Sequence, residues 1–257
     1  EGPRDDPSPL VLLHGTSASL HTWEGWTQSL KGQKRVIRFD MPGFGLTGPS
    51  SDGDYSIESY VAFVATVLDQ LNVQNCVLAG NSLGGYVAWA TALAHPERVQ
   101  RLILVDSSGY AYQSLSVPLA FRIARTPVLG SMLGPVLPRA IVEKSVANVY
   151  GDSTKVTPEL VDRYFDLTTR AGNRQALVQR FKQTQPGALA ARVVELKLPT
   201  LIIWGGKDHL IPSELGTRFN KEITDSQLIV FPELGHVPQE EAPLQTVAAV
   251  KTFLAIP

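Results

Sequence analysis

The chain has 257 residues, 44% of them hydrophobic and 18% charged, a balance that excludes a disordered chain. Its 23 Lys+Arg against 24 Asp+Glu leave a formal net charge of −1 with no basic run, so nucleic acid is not expected as a partner. No stretch approaches the ~20 apolar residues of a membrane span. Length allows one large domain or one domain with a sizeable insertion. The single cysteine, Cys76, can form no internal disulfide; it opens an apolar run and reads as a packed thiol. The first residue is Glu1, which leads us to expect a processed or trimmed N-terminus; the cytoplasm is the default compartment, and the oligomeric state is left open.

Along the chain, short β-branched runs alternate with longer helical patterns. The runs are Leu10–Leu13, Arg35–Phe39, Cys76–Ala79, Leu102–Val105, Thr200–Trp204 and Gln227–Phe231. They are nearly all apolar, as strands are when both faces of a parallel sheet are covered. Ile57, Tyr60, Val61, Val64, Val67, Leu68 and Leu71 recur at steps of three and four, so they form one helical stripe, with Ser56 and Ser59 as caps. Ser82–Ala94 is apolar all round and is expected to be a buried helix ended by His95-Pro96. Leu244–Leu254 carries a further apolar face. The expected fold is therefore α/β, a mostly parallel doubly wound sheet with right-handed crossovers. The rhythm breaks between residues 110 and 189, where helical pieces are cut by Pro118, Pro127, Gly130, Gly134, Pro135, Pro138 and Pro158. We read 1–109 and 190–257 as the core and 110–189 as a helical cap inserted in it. The cap's apolar residues cover one another and line a cavity over the strand ends.

The segment Val77-Leu78-Ala79-Gly80-Asn81-Ser82-Leu83-Gly84-Gly85 is a strand, then G-x-S-x-G, then a buried helix. The glycines permit a tight turn with Ser82 at its strained tip, its Oγ exposed above the sheet. A serine hydroxyl needs a base, and the base needs an orienting acid. Of the five histidines, His236 follows the last strand-like run and so lies on the same C-terminal rim as Ser82. His95 ends a helix on the opposite edge, His14 sits in a His-Gly turn, and no argument favours His21. For the acid, Asp208 follows the Thr200–Trp204 run, and the order Ser82, Asp208, His236 suits this sheet; Asp106, at the end of the preceding strand, is the competitor. Oxyanion donors are expected in the backbone N–H of Leu83, at the start of the helix, and of Thr16 in the loop after the first strand, with Ser17 as the fallback. Further pocket candidates are His14, Ser17, Trp23, Phe44, Tyr110, Met132 and Val237. No group of residues has metal-ligand spacing, and no G-x-G-x-x-G is present, so neither metal nor cofactor is expected.

Five motifs in order resemble the α/β-hydrolase family: Leu12-Leu13-His14-Gly15, Asp40-Met41-Pro42-Gly43-Phe44-Gly45, Gly80-Asn81-Ser82-Leu83-Gly84-Gly85, Trp204-Gly205-Gly206-Lys207-Asp208 and Gly235-His236. The resemblance implies a helical cap and a cofactor-free serine mechanism by Ser82, His236 and Asp208. Members usually begin with two strands before the His-Gly loop; only nine residues precede Leu10, so the resemblance leads us to expect the given sequence without those strands. Serine at 82 sets the chain apart from haloalkane dehalogenases and epoxide hydrolases, which use aspartate there. It leaves esterases, lactonases, perhydrolases and the carbon–carbon hydrolases of ring-cleavage products.

The expected activity is hydrolysis of small to medium hydrophobic esters through an acyl-enzyme, with a small-molecule ester as the only implied partner. The loop Thr16-Ser17-Ala18-Ser19 and Val237 after His236 depart from the carbon–carbon group, which is the alternative. In that alternative a cap arginine (Arg122, Arg125, Arg139, Arg170 or Arg174) would hold a substrate carboxylate. A slow-turnover small-ligand receptor is the non-enzymatic rival.

Overall fold

The computed structural model describes residues 1–126 and 137–256. Six strands form one parallel sheet: β1 (Leu10–Leu13), β2 (Val36–Arg38), β3 (Cys76–Asn81), β4 (Val99–Val105), β5 (Thr200–Gly205) and β6 (Ser226–Phe231), in the order β2-β1-β3-β4-β5-β6. Every expected run is a strand. The order reverses between β1 and β3, and the crevice above such a reversal is where open α/β sheets bind ligands. Register is continuous across it, with Leu12 opposite Ala79 and Leu13 opposite Gly80.

Alternate strand residues serve two apolar layers. Leu10, Leu12, Val77, Ala79, Ile103, Val105, Leu201 and Ile203 face one side. There they pack with Trp26 and Leu30 of α1 (Glu24–Leu30) and with Val247 and Val250 of the C-terminal helix Pro243–Leu254. Val11, Leu13, Leu78, Leu102, Leu104 and Ile202 face the other side, under Val64 and Leu68 of α2 (Ile57–Gln70) and Val87 and Ala88 of α3 (Leu83–Ala94). Burial on both faces explains why these strands are almost purely apolar in sequence. Ser56 caps α2 by accepting the Ser59 N–H at 3.2 Å. Cys76 is fully buried, and burial pushes its thiol up to about 12, as befits a packing residue.

Between β4 and β5, among the described residues, lie α4 (Leu119–Arg125), α5 (Arg139–Val149), α6 (Pro158–Thr169) and α7 (Asn173–Gln183). Thr157 caps α6, and Pro158 at its first position needs no hydrogen-bond donor there. Val142 and Val146 of α5 pack with Tyr150 onto Val237, just after β6. After β5 come α8 (Glu214–Glu222), β6, then α9 (Pro238–Glu241) and α10 (Pro243–Leu254). No helix among the described residues is long and apolar enough to cross a membrane.

Candidate active site

The turn from β3 into α3 places Ser82 at φ +55° and ψ −116°, a conformation that side chains rarely adopt. The strain is held from several sides. The Ser82 N–H donates to the Val105 carbonyl at 3.0 Å, and its own carbonyl accepts from the Ser108 N–H and hydroxyl at 3.0 and 3.1 Å. Glycine is required at 84, because a Cβ there would collide with the Leu13 carbonyl of β1. The turn is thus pressed against the neighbouring strand, at the crevice between β1 and β3.

The loops after β5 and β6 bring Asp208 and His236 together, His236 Nδ1 donating to Asp208 Oδ2 at 2.7 Å. That leaves Nε2 as the free base nitrogen. Asp208 is held in turn by the N–H groups of Leu210 and Ile211, which reach Oδ1 at 2.8 and 2.9 Å. Ser82, Asp208 and His236 are all buried. The His236 N–H donates to the Val149 carbonyl at 2.8 Å, and the Asn81 amide donates to the His236 carbonyl at 2.9 Å. Glu241 of α9 accepts from the N–H groups of Gly235, Gly151 and Asp152 at 2.8, 3.0 and 2.9 Å. The histidine loop is therefore fastened both to the serine turn and to the end of α5.

Two cavities meet at Ser82. One, of about 110 Å³, is lined by Thr16, Ser17, Val142, Val146, His236 and Val237 and is mainly apolar. The other, of about 580 Å³, is lined by Thr16, Ser82, Leu83, Tyr110, Arg125 and Arg180, among others. Thr16 and Leu83, the expected oxyanion donors, therefore stand beside the serine. Arg180 was not among the five arginines singled out in sequence; it lies on a helix with many polar residues and looks solvated there. In the structure its Nε is buried without an acceptor, and burial holds its guanidinium below the usual range, with Arg125 adding to the effect. Both guanidiniums stack on Phe181, at 4.7 Å from the ring centre for Arg125 and 5.5 Å for Arg180. Among the described residues neither has a carboxylate partner.

The other candidates divide between the cavity walls and the core. Trp23 does not reach either cavity; it is fully buried against Trp26 on the opposite face of the sheet. His14 is also fully buried. Its Nδ1 lies 2.8 Å from the Gly15 carbonyl and its Nε2 accepts the Met41 N–H at 2.9 Å, so it shapes its loop as a neutral ring. Burial holds its pKa down. Phe44 packs edge-on against His14 at 5.7 Å, and Tyr110 donates to Glu222 at 2.8 Å. Met132 lies outside the described residues. Arg139 pairs with Asp162, and Arg174 lines the smaller cavity.

The geometry thus brings a buried serine, an imidazole and a carboxylate to one rim of a parallel sheet. Residues 8–243 match the family described as the alpha/beta hydrolase fold, and the chain belongs to that family. It is similar to 2-hydroxy-6-oxo-2,4-heptadienoate hydrolase of Pseudomonas putida, with 32% identity over 96% of this chain and 89% of the relative. A 2-hydroxymuconate semialdehyde hydrolase of Pseudomonas sp. is 30% identical over 96% and 87%. Among solved structures, the meta-cleavage product hydrolase CumD of Pseudomonas fluorescens IP01 superposes with a TM-score of 0.85 at 26% identity, covering 97% of this chain and 91% of that one. A thermophilic esterase of Thermogutta terrifontis gives 0.81 at 26% identity, over 96% and 89%. The chain is thus a hydrolase. The relatives favour the carbon–carbon alternative over the ester reading that the sequence motifs led us to expect.

Proposed function

We propose that this hydrolase cleaves a carbon–carbon bond beside a ketone in an anionic, dienoate-type substrate. The observation that carries this reading is the pair Arg125 and Arg180, without carboxylate partners, in the cavity that reaches Ser82. Three cations, Arg125, Arg180 and Lys182, in a cavity with one lining carboxylate among the described residues, Glu58, suit a bound anion better than a neutral ester. The names of the curated relatives, which specify hydroxy-oxo-dienoates and a hydroxymuconate semialdehyde, support the same substrate class.

In this reading Ser82 Oγ bonds to the ketone carbon and its proton passes to His236 Nε2. Asp208, fixed by two N–H groups, holds the imidazole and stabilises it once charged. The N–H groups of Leu83 and Thr16 receive the negative oxygen. The carbon–carbon bond breaks with its electron pair on the departing dienoate carbon, which takes the proton from His236. Water, deprotonated by His236, then releases the acyl group from Ser82. The smaller apolar cavity takes that acyl group, and the arginine cavity takes the dienoate.

Ester hydrolysis by the same residues is the second reading, supported by the likeness to the Thermogutta esterase. The test compares kcat/KM for 2-hydroxy-6-oxo-dienoates with that for a p-nitrophenyl ester series, with Ser82→Ala alongside. Preference for the dienoate, lost by about a thousandfold or more in Ser82→Ala, is the expected result. Fast ester turnover without dienoate cleavage would replace the first reading by the second.

A further inference from the structure

The catalytic reading leaves one buried acid unused. Asp106 ends β4, is fully buried, and sits at φ +43°, a left-handed backbone conformation that an aspartate adopts at a cost. Its Oδ1 accepts the Gly205 N–H at 2.9 Å, whereas its Oδ2 is buried with no hydrogen-bond partner. Ligand-type atoms of Asp106, Asp208 and His236 all lie within 4.8 Å of one another. Two carboxylate charges so close in a buried site repel strongly, so one of the two holds a proton. Asp208 is the better home for the charge. It receives three donors, from Leu210, Ile211 and His236, and Asp106 receives one.

We propose that Asp106 is a positioning residue of the relay: it stays protonated at neutral pH and hydrogen-bonds through that proton to Asp208, so that the pair carries one negative charge opposite His236. A proton on Oδ2 also supplies the partner which that atom otherwise lacks. Burial first, then the charge of Asp208, holds the Asp106 carboxyl well above the ordinary range, and Glu241 adds to the effect; His236 is the facing group of opposite tendency. The donor fixes the rotation of Asp208 and tempers its charge, and so limits how tightly His236 holds its proton between steps. The inference rests on Asp208 and His236 forming the relay, not on which bond the enzyme breaks.

Asp106→Asn keeps both contacts, an acceptor for Gly205 and a donor for Asp208, without a charge. With any substrate that the enzyme turns over, this variant should keep kcat within about threefold and leave the acidic limb of the kcat/KM profile in place. Asp106→Ala should lower kcat about tenfold or more with little change in KM, and should move that limb upward, as Asp208 binds the His236 proton more tightly. Infrared spectroscopy of the free enzyme supplies a readout without substrate: a protonated-carboxyl carbonyl band at neutral pH, missing in Asp106→Asn. The absence of that band from the wild type would overturn the proposal, whatever the enzyme cleaves. So would a downward shift of the limb by about one unit or more in Asp106→Asn, which would mean that a charge had been removed. An unchanged kcat and limb in Asp106→Ala would remove the positioning role.

Discussion

The Asn81 side chain joins the serine turn to the histidine loop, its amide nitrogen donating to the His236 carbonyl at 2.9 Å and to the Val105 carbonyl at 3.2 Å. The residue just before Ser82 therefore sets where His236 stands. Asn81→Ala should take the donor from the buried His236 carbonyl and leave the Val105 carbonyl with the Ser82 N–H, at a cost of about 1–3 kcal/mol, and should lower kcat more than it raises KM. Asn81→Asp, which turns the donor into an acceptor, should be worse in both respects. Equilibrium unfolding and steady-state kinetics on the same preparations would show this; wild-type kcat in Asn81→Ala would disprove the coupling.

The arginine cavity predicts a charge-selective defect. Arg180→Gln should raise KM for an anionic dienoate about tenfold or more, the scale of a lost hydrogen bond to a charged group, and leave a neutral ester nearly unaffected. Equal losses on both substrates would mean that Arg180 shapes the cavity and does not bind the anion.

His14 predicts a dependence of stability on pH. Burial holds its folded pKa below that of the unfolded chain, which is about 6.5, so the unfolded state binds the proton first. Its contribution to stability is complete above about pH 6.5 and declines as pH falls toward the folded pKa, by at most about 1.4 kcal/mol per pH unit. His14→Gln loses the Met41 contact and is less stable throughout, but its stability should fall less steeply between about pH 6.5 and 5. Denaturant titrations at several pH values measure that slope; an unchanged slope would mean that His14 ionises in the folded protein.

Glu241 predicts a loss that spreads from structure to rate. Its carboxylate gathers three backbone N–H groups, of Gly235, Gly151 and Asp152. Glu241→Gln turns an amide toward some of those donors and should cost about 2–4 kcal/mol, visible as a lower Tm. Because Gly235 adjoins His236, kcat should fall as well. A stable variant with wild-type kcat would show that the loop holds its place without the carboxylate.

Most of the sheet was legible in sequence because each strand is buried on both faces, and β-branched apolar runs such as Thr200–Trp204 stand out from their surroundings. Ser82 was legible because glycines flank it between such a run and a wholly apolar helix. The meeting of Asp208 with His236 follows from parallel strands sharing one rim, and the 2.7 Å contact agrees with that expectation. Arg180 was not legible, since an arginine on a polar helix looks the same in sequence whether it faces water or a cavity. Trp23 misled for a related reason: an aromatic close to a catalytic loop gives no sign of which side of the sheet it packs against. Asp106 was visible only as a rival to Asp208, because the sequence shows two acids at adjacent strand ends but not the distance between them.

Ser82, Asp208 and His236 all stand on loops at the ends of strands β3, β5 and β6, whereas Ile123, Val142 and Val178 of the cavity walls belong to helices between β4 and β5. On the proposed reading, reactivity and selectivity are thus written in different parts of the chain. A library varied only at those wall positions can search for new substrates while the strand ends keep the chemistry in place, and it makes this protein a natural starting point for directed evolution.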